Sequence, residues 1–223
     1  MMQKWLFLFV LSGMVACAGE NSMVLQYTGV KVKEHNKTYM IERNQPPTCL
    51  DIPVLPENLY GNKKDVNASG CKKSVYFSLG TIQPMTLDSK IKTVGELEVL
   101  EFIKKAQQSP DRYILVDSRK AFWYHYLTIP TAVNIPYDEI AYDSDFPEER
   151  VRLLQLLHIR QKMHGYDFSG TKTVLLFCNG AWCEQSPRAI RALVGIGYPK
   201  SKLLWYRGGL QDWLLMGFPG IKP

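Results

Sequence analysis

The chain has 223 residues, 46% of them hydrophobic and 22% charged, a composition that excludes a wholly disordered chain and a multi-span membrane protein. That length suffices for one domain with a full core plus a smaller appendage. The net charge of +6 is a mild basic excess, but no Lys/Arg run interleaved with aromatics marks a nucleic-acid surface, so no nucleic-acid partner is expected.

Residues 1–18 read as an export signal of bacterial type. Lys4 supplies a short positive start, Trp5 to Val15 is apolar but short for a bilayer span, and Ala16-Cys17-Ala18 follows. Two processing routes are open: cleavage after Ala18 to give a soluble protein, or lipidation of Cys17 within Val15-Ala16-Cys17. A lipid on Cys17 would be the one expected membrane contact. Both routes, and retention of the segment as an anchor, place the protein in the periplasm or otherwise outside the cytoplasm.

Residues 19–92 read as an N-terminal extension. Val24 to Lys33 and Thr38 to Glu42 alternate roughly between apolar and polar on either side of His35-Asn36-Lys37, the pattern of a β-hairpin. Gln45 to Ser69 is rich in Pro, Asn, Gly and Lys and reads as loop, with Cys49 and Cys71 at its edges. In an oxidising compartment a Cys49–Cys71 disulfide is expected, with two buried thiols as the alternative. Closing a loop of about 20 residues stabilises by about 3 kcal/mol.

From residue 93 to 223 helical and strand patterns alternate. Thr93 is a candidate N-cap with Glu96 as its capping-box partner, ahead of Val94, Leu97, Leu100, Ile103 and Ala106 at helical spacing. Tyr113 to Val116 reads as a strand. Glu149 to Met163 reads as a helix burying Leu153, Leu156 and Leu157, and Thr173 to Phe177 as a strand buried on both faces. Ser186 as N-cap and Pro187 in the first turn open a helix to about Ile196. Leu203 to Tyr206 reads as a strand, Gly208-Gly209 as a turn, and Leu210 to Met216 as a last helix. The fold class is therefore α/β, a mostly parallel sheet with helices on both faces and a small β-rich N-terminal extension.

The chemistry is expected where the strand Thr173–Phe177 runs into Cys178-Asn179-Gly180-Ala181-Trp182-Cys183-Glu184-Gln185-Ser186 and then a helix. Ligands bind at the carboxyl ends of strands in open α/β sheets. Loop amides and a helix N-terminus converging there would lower the pKa of the Cys178 thiol and make it a nucleophile.

This segment resembles the active loop of the rhodanese-like (sulfurtransferase) family. Further resemblance lies in Asp117-Ser118-Arg119, similar to the family's Asp-x-Arg, and in Ile129-Pro130-Thr131-Ala132-Val133-Asn134-Ile135-Pro136. Gly208-Gly209, Trp213, Gly217 and Pro219 resemble its closing motif. Cys-Asn-Gly with a second cysteine is similar to an exported bacterial subgroup, with Ala181 where that subgroup has Pro. Leu127-Thr128 stands where Gly-His is usual and Thr131 where Gly is usual; both are read as fold-neutral surface changes.

The resemblance implies a sulfurtransferase. A persulfide on Cys178 would pass sulfane sulfur from a small sulfur compound to a protein thiol or another nucleophile, with no metal and no organic cofactor. Asp117 and Arg119 are expected as a supporting ion pair. No Arg or Lys lies between Cys178 and Pro187, and Glu184 is the loop's only charge, with Arg188 just beyond as partial compensation. That balance disfavours dianionic thiosulfate as donor. It also disfavours a phosphatase, whose Cys-x5-Arg pattern would need Arg where Glu184 stands. Cys183 is either a resolving thiol, which would make the loop a thiol–disulfide redox site, or an apolar plug. A third alternative is a non-catalytic binding module. Trp182 is a wall of the site or packing, and Trp123, Tyr124, Tyr126 and Trp205 are expected in the core or an interface.

Overall fold

The computed structural model describes residues 29–34, 37–42, 82–141 and 147–223. The export segment with Cys17, the proline-rich loop and the Cys49–Cys71 pair lie outside the described residues.

Val30–Glu34 (β1) and Lys37–Ile41 (β2) form an antiparallel hairpin. Alternation along β1 buries Val30 and Val32, which pack with Ile41 into the same cluster as Val99, Leu100, Phe102 and Ile103 of the helix Glu96–Gln108 (α1). Each such aliphatic burial stabilises by about 1.5–3 kcal/mol, so the hairpin is seated on the domain.

A five-stranded sheet lies at the centre. Its strands are Lys92–Val94 (β3), Tyr113–Asp117 (β4), Val133–Asn134 (β5), Thr173–Phe177 (β8) and Leu203–Tyr206 (β9), in the order β3-β9-β8-β4-β5, all parallel. The remaining strands, Arg160–Gln161 (β6) and Tyr166–Asp167 (β7), make a separate antiparallel pair. Period-two alternation divides the central strands between two cores. Leu115, Leu175 and Phe177 face α1 and the last helix, Gly209–Leu215 (α6). Ile114, Val116, Val174, Leu176 and Trp205 face the other layer: Tyr137–Ala141 (α3), Pro147–Leu157 (α4) and Gln185–Gly195 (α5). The short helix Ala121–Tyr126 (α2) buries none of its residues.

Several boundaries differ from those expected. Thr93 and Val94 belong to β3, where Val94 pairs with Tyr206, so Thr93 caps nothing. Gly95 occupies the N-cap of α1, and the carboxylate of Glu98, not Glu96, accepts its N–H at 3.0 Å. Helix α4 stops at Leu157 because His158 takes φ 56, and the β6–β7 hairpin replaces the expected last turn. Ser186 lies inside α5, one residue past its start at Gln185, with Glu184 at the N-cap.

The two changes read as surface-neutral are not surface features. Thr128 is fully buried; its hydroxyl donates to Asp117 Oδ2 at 2.7 Å and its backbone bridges to Ile221. Thr131 sits at φ 71, a left-handed conformation, with its N–H on the Glu34 carboxylate at 3.1 Å. A β-branched residue there costs about 1–2 kcal/mol. Thr131→Gly should therefore raise stability by about 1 kcal/mol, read as a higher denaturant midpoint at unchanged m-value.

Candidate active site

Strand β8 ends at Phe177, and the next residue carries the first sulfur. Cys178 is 2% exposed and Cys183 is 5% exposed, both as free thiols. The loop between them is tight: Cys183 N–H donates to Gly180 carbonyl oxygen at 2.9 Å. From the other side, the start of α6 holds it, with Leu210 N–H on the Cys178 carbonyl (2.9 Å) and Gln211 N–H on that of Asn179 (2.8 Å). This approach requires Gly209, at φ 60, where an added Cβ would lie 2.7 Å from Gly180 N.

The amide cradle is divided between two sulfurs. Cys178 Sγ accepts from the Ser186 hydroxyl at 3.1 Å and meets the Ser186 main-chain N–H. That hydroxyl accepts in turn from the indole N–H of buried Trp205 at 3.0 Å, which leaves its hydrogen for the sulfur. Cys183 faces the main-chain N–H groups of Asn179 and Gln185, and the Asn179 side-chain amide donates to it at 3.8 Å.

Burial pushes the Cys178 thiol well above its ordinary value, and the neighbouring Cys183 adds to the rise. The carbonyl oxygen of Cys183, 3.3 Å from Cys178 Sγ, also favours a protonated sulfur there. Hydrogen bonding from Cys178, supplemented by the amides of Asn179 and Gln185, brings Cys183 down to about 6. Burial thus opposes the depression expected at Cys178 and favours its protonated thiol, while the main-chain amides around Cys183 favour the thiolate there.

Asp117 and Arg119 form a buried ion pair, Nη2 to Oδ2 at 2.6 Å, with Arg119 Nε also on the carboxylate. The guanidinium reaches Leu127 carbonyl and, at 3.5 Å, Asn179 Oδ1. It therefore sets the Asn179 amide, whose other end faces Cys183. Asn134 Nδ2 donates to the carbonyls of Asp117 (2.9 Å) and Arg119 (2.8 Å), fixing the strand end that carries the pair. Arg188 does not compensate the loop's charge at the sulfurs: it is exposed and pairs with Glu184 one turn away at 3.4 Å. Trp182 is half-buried, its indole on Gln211 Oε1 at 2.6 Å. Among the described residues, no group of three or more His, Cys, Asp or Glu is placed to hold a metal ion.

A family model described as the rhodanese-like domain matches residues 99–216, just over half of the chain. The chain belongs to the rhodanese-like family. No curated protein matches it. Solved structures similar to this rhodanese-like chain include the BH2092 protein of Bacillus halodurans, 21% identical, covering 58% of this chain and 76% of that one at a TM-score of 0.41. A rhodanese-related protein of Thermoplasma volcanium is 20% identical over 59% of this chain and 99% of its own, at a TM-score of 0.39. A human single-domain sulfurtransferase is 20% identical over 55% of this chain and 95% of its own, at 0.37.

Two features of this rhodanese-like site had no signal in the sequence reading. Trp205 is a core residue as expected, yet its indole also orients Ser186. The segment before β3 crosses the loop: Gln83 N–H donates to Ala181 carbonyl at 2.8 Å, and Arg207 holds the Gln83 carbonyl at 2.9 Å. Neither contact follows a sequence period, because each joins segments far apart in the chain.

Placing a methyl group at position 209 tests the loop's dependence on α6. Gly209→Ala should destabilise the fold by about 3 kcal/mol, combining left-handed strain with overpacking. It should also speed alkylation of Cys178, followed by denaturant melts and peptide mapping of the labelled cysteine.

Proposed function

We propose that the protein is a sulfurtransferase that carries sulfane sulfur as a persulfide on Cys178, with Cys183 as the partner that takes the Cys178 proton. The supporting observation is Cys178 at the carboxyl end of the central strand β8, its sulfur held by the Ser186 hydroxyl at 3.1 Å, with the second thiol, Cys183, closing the same loop. The family supports the fold and the position of Cys178.

In the first step the Cys178 proton moves to the Cys183 thiolate as Cys178 Sγ attacks the outer sulfur of a donor R–S–SH. The Cys178 S–S bond forms, the donor S–S bond breaks, and R–S⁻ leaves with the electron pair. An acceptor thiolate then attacks the outer sulfur and departs as a persulfide, and the Cys178 thiolate recovers its proton from Cys183. Ser186 O–H, set by Trp205, donates to the sulfur as charge develops. The acceptor class is a thiol or another sulfur nucleophile. Thiosulfate is a poor fit, because Arg119 is spent on Asp117 and Arg188 on Glu184.

The same pair supports a second reading, a thiol–disulfide redox protein. A low-pKa thiolate next to a second thiol is the arrangement that attacks a substrate disulfide and is then resolved. The export reading of residues 1–18, with its oxidising compartment, accords with either use.

Mass spectrometry after incubation with inorganic polysulfide separates the two. One added sulfur on Cys178 supports transfer; loss of two hydrogens across the loop without sulfur supports the redox reading. Cys178→Ala should abolish sulfur uptake, and Cys183→Ala should leave part of it. The pH profile gives the sign. Below about 6 both sulfurs are protonated and uptake falls; above it the pair is charged and uptake levels off by neutrality. In Cys183→Ala the buried Cys178 keeps its raised pKa, so uptake should demand alkaline pH.

A further inference from the structure

Beside the active loop lies a cavity of about 470 Å³ lined by Arg119, Phe122, Trp123, Tyr126, Leu127, Asn179, Trp182 and Leu210. Its outer wall is α2, whose large side chains are turned to solvent: Phe122 is 75% exposed and Tyr126 is 68% exposed. Three exposed aromatics on six residues of helix are far more apolar surface than a solvent-facing helix needs. The only charged liner, Arg119, is neutralised by Asp117. Nothing in the lining would hold an inorganic dianion. An apolar cavity of about 150 Å³ accommodates one benzene, so this one has room for a ring with a substantial side chain.

Asn179 connects the cavity to the chemistry. Its side chain lines the cavity, while its amide group stands 3.8 Å from Cys183 Sγ. Asn179 thus stands between the cavity and Cys183, in the same loop as Cys178, and apolar walls with a single placed hydrogen-bonding group are the usual composition of a small-molecule site.

We propose that this cavity binds the organic body of the sulfur donor, and that the donor is a persulfide whose organic group is an uncharged aromatic or alkyl group. The inference rests on the sulfur-transfer reading. Phe122, Trp123 and Trp182 pack against the organic group, and the Asn179 amide orients the terminal sulfur. Cys178 Sγ bonds the outer sulfur of R–S–SH, the donor's S–S bond breaks, and R–S⁻ departs with the electron pair. The product thiol stays apolar in its R group and leaves by the same opening.

The test uses two probes on the full chain. Benzyl methyl sulfide, which transfers no sulfur, is titrated calorimetrically to measure the cavity alone. Sulfur uptake is then compared with benzyl persulfide and with inorganic polysulfide as donors. In the double variant Phe122→Ala/Trp123→Ala we expect benzyl methyl sulfide to bind about tenfold more weakly. The ratio of kcat/KM for benzyl persulfide over polysulfide should fall about tenfold. Phe122→Lys, at a position exposed enough to spare the fold, should weaken the thioether similarly and shift donor preference toward thiosulfate. Failure of benzyl methyl sulfide to bind, or equal binding to wild type and both variants, would overturn the cavity assignment while leaving polysulfide uptake to stand. Sulfur uptake from no donor would overturn the transferase reading, and thioether binding would then decide the cavity separately.

Discussion

Two free thiols buried in one short loop are the constraint on which the site depends. Cys178 and Cys183 are both nearly sealed from solvent, and neither could carry a full charge alone at low cost. The loop resolves this by unequal support. Cys183 receives the Cys178 hydrogen and two main-chain amides; Cys178 receives Ser186 and faces a carbonyl oxygen. The surroundings favour charge on Cys183 and disfavour it on Cys178.

The rest of the structure serves to keep that loop closed. Strand β8 delivers Cys178 to the sheet's carboxyl edge, between β4 and β9. Helix α6 binds two loop carbonyls through its first amides, an approach only glycine at position 209 permits. The buried Asp117–Arg119 pair and Asn134 lock the neighbouring strand end, and the guanidinium passes that rigidity to Asn179. Breaking a buried pair of this kind by removing one partner typically costs about 3–5 kcal/mol, so these residues act on the chemistry through position.

Much of this was legible in the sequence because its signals are local. Thr173–Phe177 and Leu203–Tyr206 are found at their expected bounds, since uninterrupted apolar runs between breakers mark buried strands. The hairpin around His35-Asn36-Lys37 and the parallel sheet followed from alternation and from strand–helix spacing. What was not legible is non-local. Ser186 looks like an N-cap in sequence but is drawn inward by Cys178 and Trp205, and Thr128 looks exposed until Asp117 is placed beside it. Two cysteines five residues apart say nothing about which receives the amides; only the loop's path decides that. Phe122, Trp123 and Tyr126 share one face of α2 at helical spacing, but that face lines a cavity open to solvent instead of the core, which the spacing alone does not show.

The division of charge between the sulfurs is tested most directly by following the Cβ resonances of isotope-labelled cysteines across pH by NMR, with assignments from single cysteine variants. Cys183 should titrate with a midpoint near 6 while Cys178 stays protonated into the alkaline range. Titration of Cys178 first, or of both residues together near the ordinary thiol value of about 8.5, would contradict the account.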